Sequence, residues 1–172
     1  MRIIYNFLVH IIIILSPIIV FYRILKGKEN PKRFFEKFSI NKKKRSKGKL
    51  VWFHCSSVGE FLSIVPLIQE FEKMISIKQI LITTSTLSSS KIFEKFRFKK
   101  TLHQFYPLDN KYIIKNFLNY WKPSYVVFVE SEIWPIMISE LKKRGIKVVL
   151  INARMSEKSF RRWSYLIDFG KD

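Results

Sequence analysis

Cysteine is almost missing from this chain of 172 residues: Cys55 stands alone, so no intrachain disulfide can form and the main domain reads as reduced and cytoplasmic. One cysteine and three scattered histidines, His10, His54 and His103, also lack metal-ligand spacing, so no metal and no cofactor are expected. Glycine is sparse as well. Its five copies form neither G-x-G-x-x-G nor a Walker A loop, so the chain carries no dinucleotide or P-loop signature. Internal repeats are lacking, and the length suits one ordinary domain with a real core. Acid is scarce: 13 Asp and Glu face 32 Lys and Arg, for a formal charge of +19. That surplus points to an anionic partner, whether nucleic acid, an anionic membrane or a phosphorylated substrate. An AT-rich codon bias, which also enriches Ile, Phe and Asn, gives the same surplus, so charge alone selects none of these.

What is present begins with a long apolar run. Residues 3–22, "IIYNFLVHIIIILSPIIVFY", are enough helical chain to match a bilayer core of about 30 Å. Residues 1–25 therefore read as a membrane anchor helix, whether spanning or lying in the interface. A cleaved signal is the competing reading, but no small-residue cleavage site comes after the run. Residues 26–48 form a basic juxtamembrane linker, "KGKENPKRFFEKFSINKKKRSKG", in which Phe34, Phe35 and Phe38 interleave with the charges and suit an anionic headgroup layer. Lys and Arg are biased to the C-terminal side of the apolar run, which places the chain beyond residue 23 in the cytoplasm.

From residue 49 to 172 the pattern alternates. Strand-like runs at 50–55, 79–84, 102–107, 124–130 and 146–152 are interleaved with helix-like runs at 60–74, 87–96, 110–121 and 133–145. The tail from Ser156 reads as a further helix cut short. This order implies an α/β fold: a Rossmann-like parallel sheet with flanking helices and right-handed crossovers.

In such folds ligands sit beyond the carboxyl ends of the strands. Two carboxylates fall there, Glu60 after the first strand and Glu130 at the end of "YVVFVE". Glu60 has two readings. Ser57-Val58-Gly59-Glu60 fits S-x-x-E, a capping box in which serine and glutamate satisfy the first amides of a helix. Equally, a carboxylate on this edge can serve as a base, and Gly59 lets a substrate come close to the backbone. Glu130 can likewise be a polar strand end or a site residue.

The segments "WFHCSSVGEFLSIVPLI", "ILITTSTLSSS", "FYPLD" and "VVFVESEIWPIMISELKKRGIKVVLINARMSEKS" together resemble, in order and spacing, the bacterial 3-deoxy-D-manno-octulosonic acid (Kdo) transferases. The resemblance runs through nearly the whole chain. Its specific points are the Ser-Val-Gly-Glu turn, the Glu-x-Glu-x-Trp-Pro segment and the Asn-Ala-Arg-x-Ser segment.

That resemblance implies a glycosyltransferase of two Rossmann-like halves (a GT-B architecture) that moves Kdo from CMP-Kdo to a lipid A precursor in lipopolysaccharide biosynthesis, without a metal. It makes Glu60 the general base and Glu130 a supporting residue of the transition state. Ser56, Ser57, Gly59 and Arg154 become substrate-binding residues. The chain departs from the family in carrying no second half with the CMP-Kdo site, which leaves a separately made C-terminal half as a possible partner. Smaller departures are Ile136 in place of Asn after Trp-Pro, "LSS" at 87–89 in place of a Pro-Thr-Gly-like loop, and the Leu108-Asp109-Asn110 run. Two other readings stand beside this one: a non-catalytic acceptor-binding module of a split enzyme, and a basic protein that binds anionic membrane. A nucleic-acid partner is not expected, because the basic run abuts an apolar helix and no RNA- or DNA-binding motif accompanies it.

Overall fold

A computed structural model describes residues 18–40, 43–130 and 134–153. Five strands, β1 (Lys49–His54), β2 (Ile77–Thr84), β3 (Thr101–Phe105), β4 (Tyr125–Val129) and β5 (Lys147–Ile151), alternate with four helices. These are α1 (Val58–Lys73), α2 (Leu87–Phe93), α3 (Lys111–Trp121) and α4 (Pro135–Lys143). The strands pair in parallel in the order β3-β2-β1-β4-β5. The expected α/β sheet with flanking helices is thus the observed one. Strand positions agree with the sequence periods to within about two residues at each end.

The period of two along β1 builds both sides of the core. Leu50 and Trp52 enter one layer with Ile114, Phe117 and Trp121 of α3 and with Met137 and Leu141 of α4. Val51 and Phe53 enter the other, with Phe61, Ile64 and Ile68 of α1 and with Phe93 beside them. Two buried indoles find acceptors: Trp52 Nε1 donates to Thr83 Oγ1 at 2.8 Å, and Trp121 Nε1 to Gln104 Oε1 at 2.9 Å. Pro66 sits inside α1 without breaking it. The carbonyl deprived of its amide partner belongs to Leu62, whose residue is 46% exposed and so open to water. With α1 and α2 on one face and α3 and α4 on the other, the winding reverses between β1 and β4. That reversal is the switch point of a doubly wound sheet.

Residues 26–40, read from sequence as linker, are packed onto the sheet. They include the 3₁₀ turn Phe34–Phe38. Glu36 is buried and accepts from the Phe105 amide at 2.8 Å, satisfying an outward-facing donor of edge strand β3. Arg33 bonds Glu36 at 2.9 Å, Ser90 Oγ at 2.9 Å and His103 Nδ1 at 2.6 Å. Glu29, also buried, pairs with Lys37 at 2.6 Å. High charge density concealed the long-range contacts, because Ser90, His103 and Phe105 lie in α2 and β3, far along the chain. Of the expected anchor, residues 18–25 are helical and 1–17 lie outside the described residues, as does the expected helix after Ser156. No helix among the described residues is long and apolar enough to cross a membrane.

Candidate functional site at the switch point

β1 ends at His54, and the chain turns through Cys55, Ser56 and Ser57 into α1. Cys55 is buried, its amide bonded to the Thr83 carbonyl at 3.1 Å, which fixes the exit from the strand. Ser57 is the N-cap: its backbone is extended and its Oγ accepts from the Glu60 amide at 3.2 Å. Glu60 reaches back, its Oε2 accepting from the Ser56 amide at 2.7 Å. This is the capping box with its return bond displaced by one residue. The side chain is thereby held down on the turn, and the residue is 9% exposed. Among the described residues no donor reaches Oε1. One carboxylate oxygen therefore anchors and the other remains to accept a proton or a hydrogen bond.

Gly59 has ordinary helical backbone, and a Cβ built there would meet nothing nearer than Ser57 Oγ at 4.0 Å. Its own neighbours do not require glycine. The ground above the first turn of α1 is open.

Continuing the β1–β4 register past His54↔Phe128 sets Ser56 level with Glu130 on the adjacent strand. The two expected site carboxylates thus flank the switch point. Glu130 has φ 59°, a left-handed conformation that costs a non-glycine residue about 1–2 kcal/mol. Two contacts hold it: its amide donates to the Ile151 carbonyl at 2.9 Å, and Asn152 Nδ2 lies 3.5 Å from its Oε1. Asn152 is itself at φ 50°. Strained backbone at the ends of two adjacent strands is a common mark of ligand-facing loops. Ser56, Ser57, Gly59 and Glu60 are therefore gathered on one turn with Glu130 beside them. Arg154 lies outside the described residues, as do Ser131, Glu132 and Ile133.

Several residues here escaped the sequence reading. Ser56 Oγ lies 3.2 Å from Ser85 Oγ, and Ser89 Oγ donates to the Ser56 carbonyl at 3.4 Å. Thr86 caps α2 through the Ser89 amide at 3.2 Å. The run "STLSSS" was the available signal, and it forms a hydroxyl rim along the β2 side of the turn. On the β4 side, His54 is fully buried and stacks on Tyr106, ring centres 3.9 Å apart, while Tyr106 meets Trp134 at 5.5 Å. Asp109 completes the frame. Its two oxygens accept from the amides of Ile136 at 3.1 Å and Met137 at 3.0 Å, capping α4, whose own N-cap residue Trp134 offers no side-chain bond. No group of three His, Cys, Asp or Glu placed to hold a metal occurs among the described residues.

Fold and edge define the class first: a doubly wound α/β domain whose switch point carries a tethered carboxylate on one strand end and a strained glutamate on the next. A family model described as 3-deoxy-D-manno-octulosonic-acid transferase (kdotransferase) matches residues 32–172. A 3-deoxy-D-manno-octulosonic acid transferase of Rickettsia bellii is 40% identical over 159 residues, 92% of this chain and 38% of the relative. A probable mitochondrial 3-deoxy-D-manno-octulosonic acid transferase of Arabidopsis thaliana is 39% identical over 152 residues, 87% of this chain and 34% of the relative. A third, from Rickettsia typhi, is 32% identical and covers 95% of this chain and 45% of itself. The chain belongs to the Kdo transferase family, and it spans 34 to 45% of the length of these relatives.

Proposed function

We propose that the chain forms the acceptor-side half of a GT-B glycosyltransferase that moves Kdo from CMP-Kdo to a lipid A precursor, with Glu60 as the general base. The observation that carries this is the Glu60 carboxylate itself, tethered by Oε2 to the Ser56 amide at the switch point while Oε1 has no donor among the described residues. A sugar hydroxyl is a poor nucleophile at neutral pH, and a positioned carboxylate can take its proton as the new bond forms. In the proposed step the acceptor oxygen bonds the anomeric carbon of Kdo and its proton passes to Glu60. The bond from that carbon to the phosphate oxygen breaks, and CMP leaves with the electron pair. Glu130, on the neighbouring strand end, supplies negative charge near the carbon as it becomes electron-poor. Ser56 and Ser57 orient the acceptor, Gly59 gives it room, and Arg154 meets an acceptor phosphate. The donor site and the rest of the catalytic contacts fall to a C-terminal half.

Glu60→Gln in this chain, reconstituted with a C-terminal half, tests the reading. Glutamine keeps an acceptor for the Ser56 amide, so the cap and the circular dichroism stay as they are. Transfer falls by about 10²-fold or more when the base is lost. Turnover within a few-fold of wild type would leave Glu60 as a capping residue only.

We further propose attachment to the cytoplasmic face of the cell inner membrane. Phe21 (64% exposed) and Leu25 (71%) present apolar surface, and Phe21 with the 3₁₀ turn borders a groove of about 580 Å³ lined by Val20, Phe21, Ile24, Phe34, Phe35 and Phe38 among others. Deleting the whole basic segment would not test this cleanly, since Arg33 and Glu36 hold β3. Phe21→Ser with Phe35→Ser is the cleaner variant, and it should weaken vesicle binding without altering the sheet. Undiminished binding would assign attachment to residues outside this groove.

A further inference from the structure

At the opposite end of the sheet from Glu60, where β2 and β3 begin, lies a hollow of about 340 Å³. Five lysines line it: Lys43, Lys44, Lys78, Lys99 and Lys100. We propose that this hollow binds a phosphate group carrying two or more negative charges, either free or as a lipid phosphomonoester. The inference does not depend on the transferase reading.

The lining contains no carboxylate. Lys43 has Glu36 at 3.9 Å and donates to the His103 carbonyl; Lys100 Nζ donates to the Met74 carbonyl at 3.1 Å. Glu72 accepts from the backbone amides of Lys99 and Lys100, but the ammonium groups of Lys44, Lys78 and Lys99 have no carboxylate within 4.0 Å among the described residues. Such crowding of like charge is costly unless an anion joins it. The Lys43 ammonium is held down to about 8, first by burial and then by Arg33, against the opposing pull of Glu36 and Glu94.

The hollow is also built. Buried Gln79 ties the 43–48 loop to β2 from both ends of its amide, Nε2 donating to the Lys44 carbonyl at 3.0 Å and Oε1 accepting from the Ser46 amide at 2.9 Å. Gly48, at φ 105°, packs on the Lys78 stem so closely that a Cβ would come within 2.6 Å of Lys78 Cγ. The lysines are therefore held around one space. Their chemistry selects the ligand. Lysine is a compact point charge suited to tetrahedral, multiply charged phosphate, whereas planar carboxylate is best matched by an arginine fork. No arginine lines the hollow, and no aromatic ring offers a base a stacking surface.

The test is calorimetric titration of the full chain, in non-ionic detergent, with inorganic pyrophosphate. Saturable binding at one site is expected. The variant Lys78→Ala with Lys99→Ala should weaken it about tenfold, the worth of roughly two charge pairs. A control of equal charge, Lys111→Ala with Lys142→Ala, should change it less than about twofold. Equal loss in both variants would show only diffuse attraction to a cationic protein and would overturn the site, as would non-saturable binding. Vesicles separate the two sources. Preference for phosphatidic acid over phosphatidylglycerol, lost in the Lys78/Lys99 variant, assigns the hollow to a lipid phosphomonoester. Pyrophosphate binding that the variant loses, without any such vesicle preference, assigns it to a soluble phosphate.

Discussion

The two helices that open onto the switch point are started in opposite ways. α1 carries its own cap: Ser57 and Glu60 lie three residues apart and serve amides within four positions of one another. α4 has no side-chain cap of its own and borrows Asp109, which reaches amides 27 and 28 residues further on. The contrast teaches how a chain with few acids uses them. Glu36 on the Phe105 amide, Glu72 on the amides of Lys99 and Lys100, and Asp109 on α4 all tie backbone across the fold. Glu60 ties only its own turn. Its removal should hurt the fold least among these four carboxylates, which leaves it the one most available for chemistry.

The sharpest way to break the comparison is Asp109→Ala. Two amides in the first turn of α4, that of half-buried Ile136 and that of buried Met137, would lose a charged acceptor, at a cost of about 3 kcal/mol. Urea denaturation of the wild type and the variant measures it. A loss under about 1 kcal/mol would mean that α4 is held by its packing and that the borrowed cap is incidental. Asp109→Asn, which keeps one oxygen, should fall between.

Glu72→Gln comes next. Burial pushes the Glu72 carboxyl up, but bonds from the Lys99 amide, Thr101 Oγ1 and the Lys100 amide together outweigh it and hold the group below its ordinary 4.5. A lowered folded value means stability that is fully present above the ordinary carboxylate range and lost as pH falls through the lowered one. The variant should therefore cost about 1–2 kcal/mol at pH 7, and its deficit against wild type should shrink as the pH is taken from about 5 to 3. A deficit that does not change with pH would mean that the glutamate acts by shape and not by charge. Ser57→Ala ranks third, at about 1 kcal/mol for a lost N-cap. A drop as large as that of Asp109→Ala would erase the distinction between the two helix starts.

The same contrast explains what the sequence disclosed. The S-x-x-E cap was legible because both partners sit within one turn. The strands were legible because runs such as Leu50–Phe53 and Val126–Val129 are buried on both faces and so nearly unbroken in apolar character. Asp109 was not legible: its partners are amides, which every residue has, brought near only by the fold. The elbow at 26–40 was read as linker for a related reason. Lysine and arginine density announces solvent, and nothing local says that Glu36 meets an amide 69 residues away. Glu130 gave no sign of its left-handed backbone, since neither it nor Asn152 is glycine. Of the candidate site, the sequence thus exposed the residues on the turn and the strand end. It hid Ser85, Tyr106 and Asp109, which frame them.

Gly59→Ala is the smallest change and the most discriminating. The backbone there is ordinary helix, and the new methyl would meet only Ser57 Oγ at 4.0 Å. Removing a glycine from a helical turn should therefore stabilise the chain, by about 0.5 kcal/mol, seen as a higher urea midpoint. If an acceptor sugar comes down onto this turn to reach Glu60, the same methyl stands in its path, and transfer in the reconstituted enzyme should fall while stability rises. A stabilised variant with undiminished transfer would mean that the open ground above α1 is not where the acceptor lies. Glu60 would then return to the company of Ser57 as half of a cap, and the search for the base would move along the same edge to Glu130.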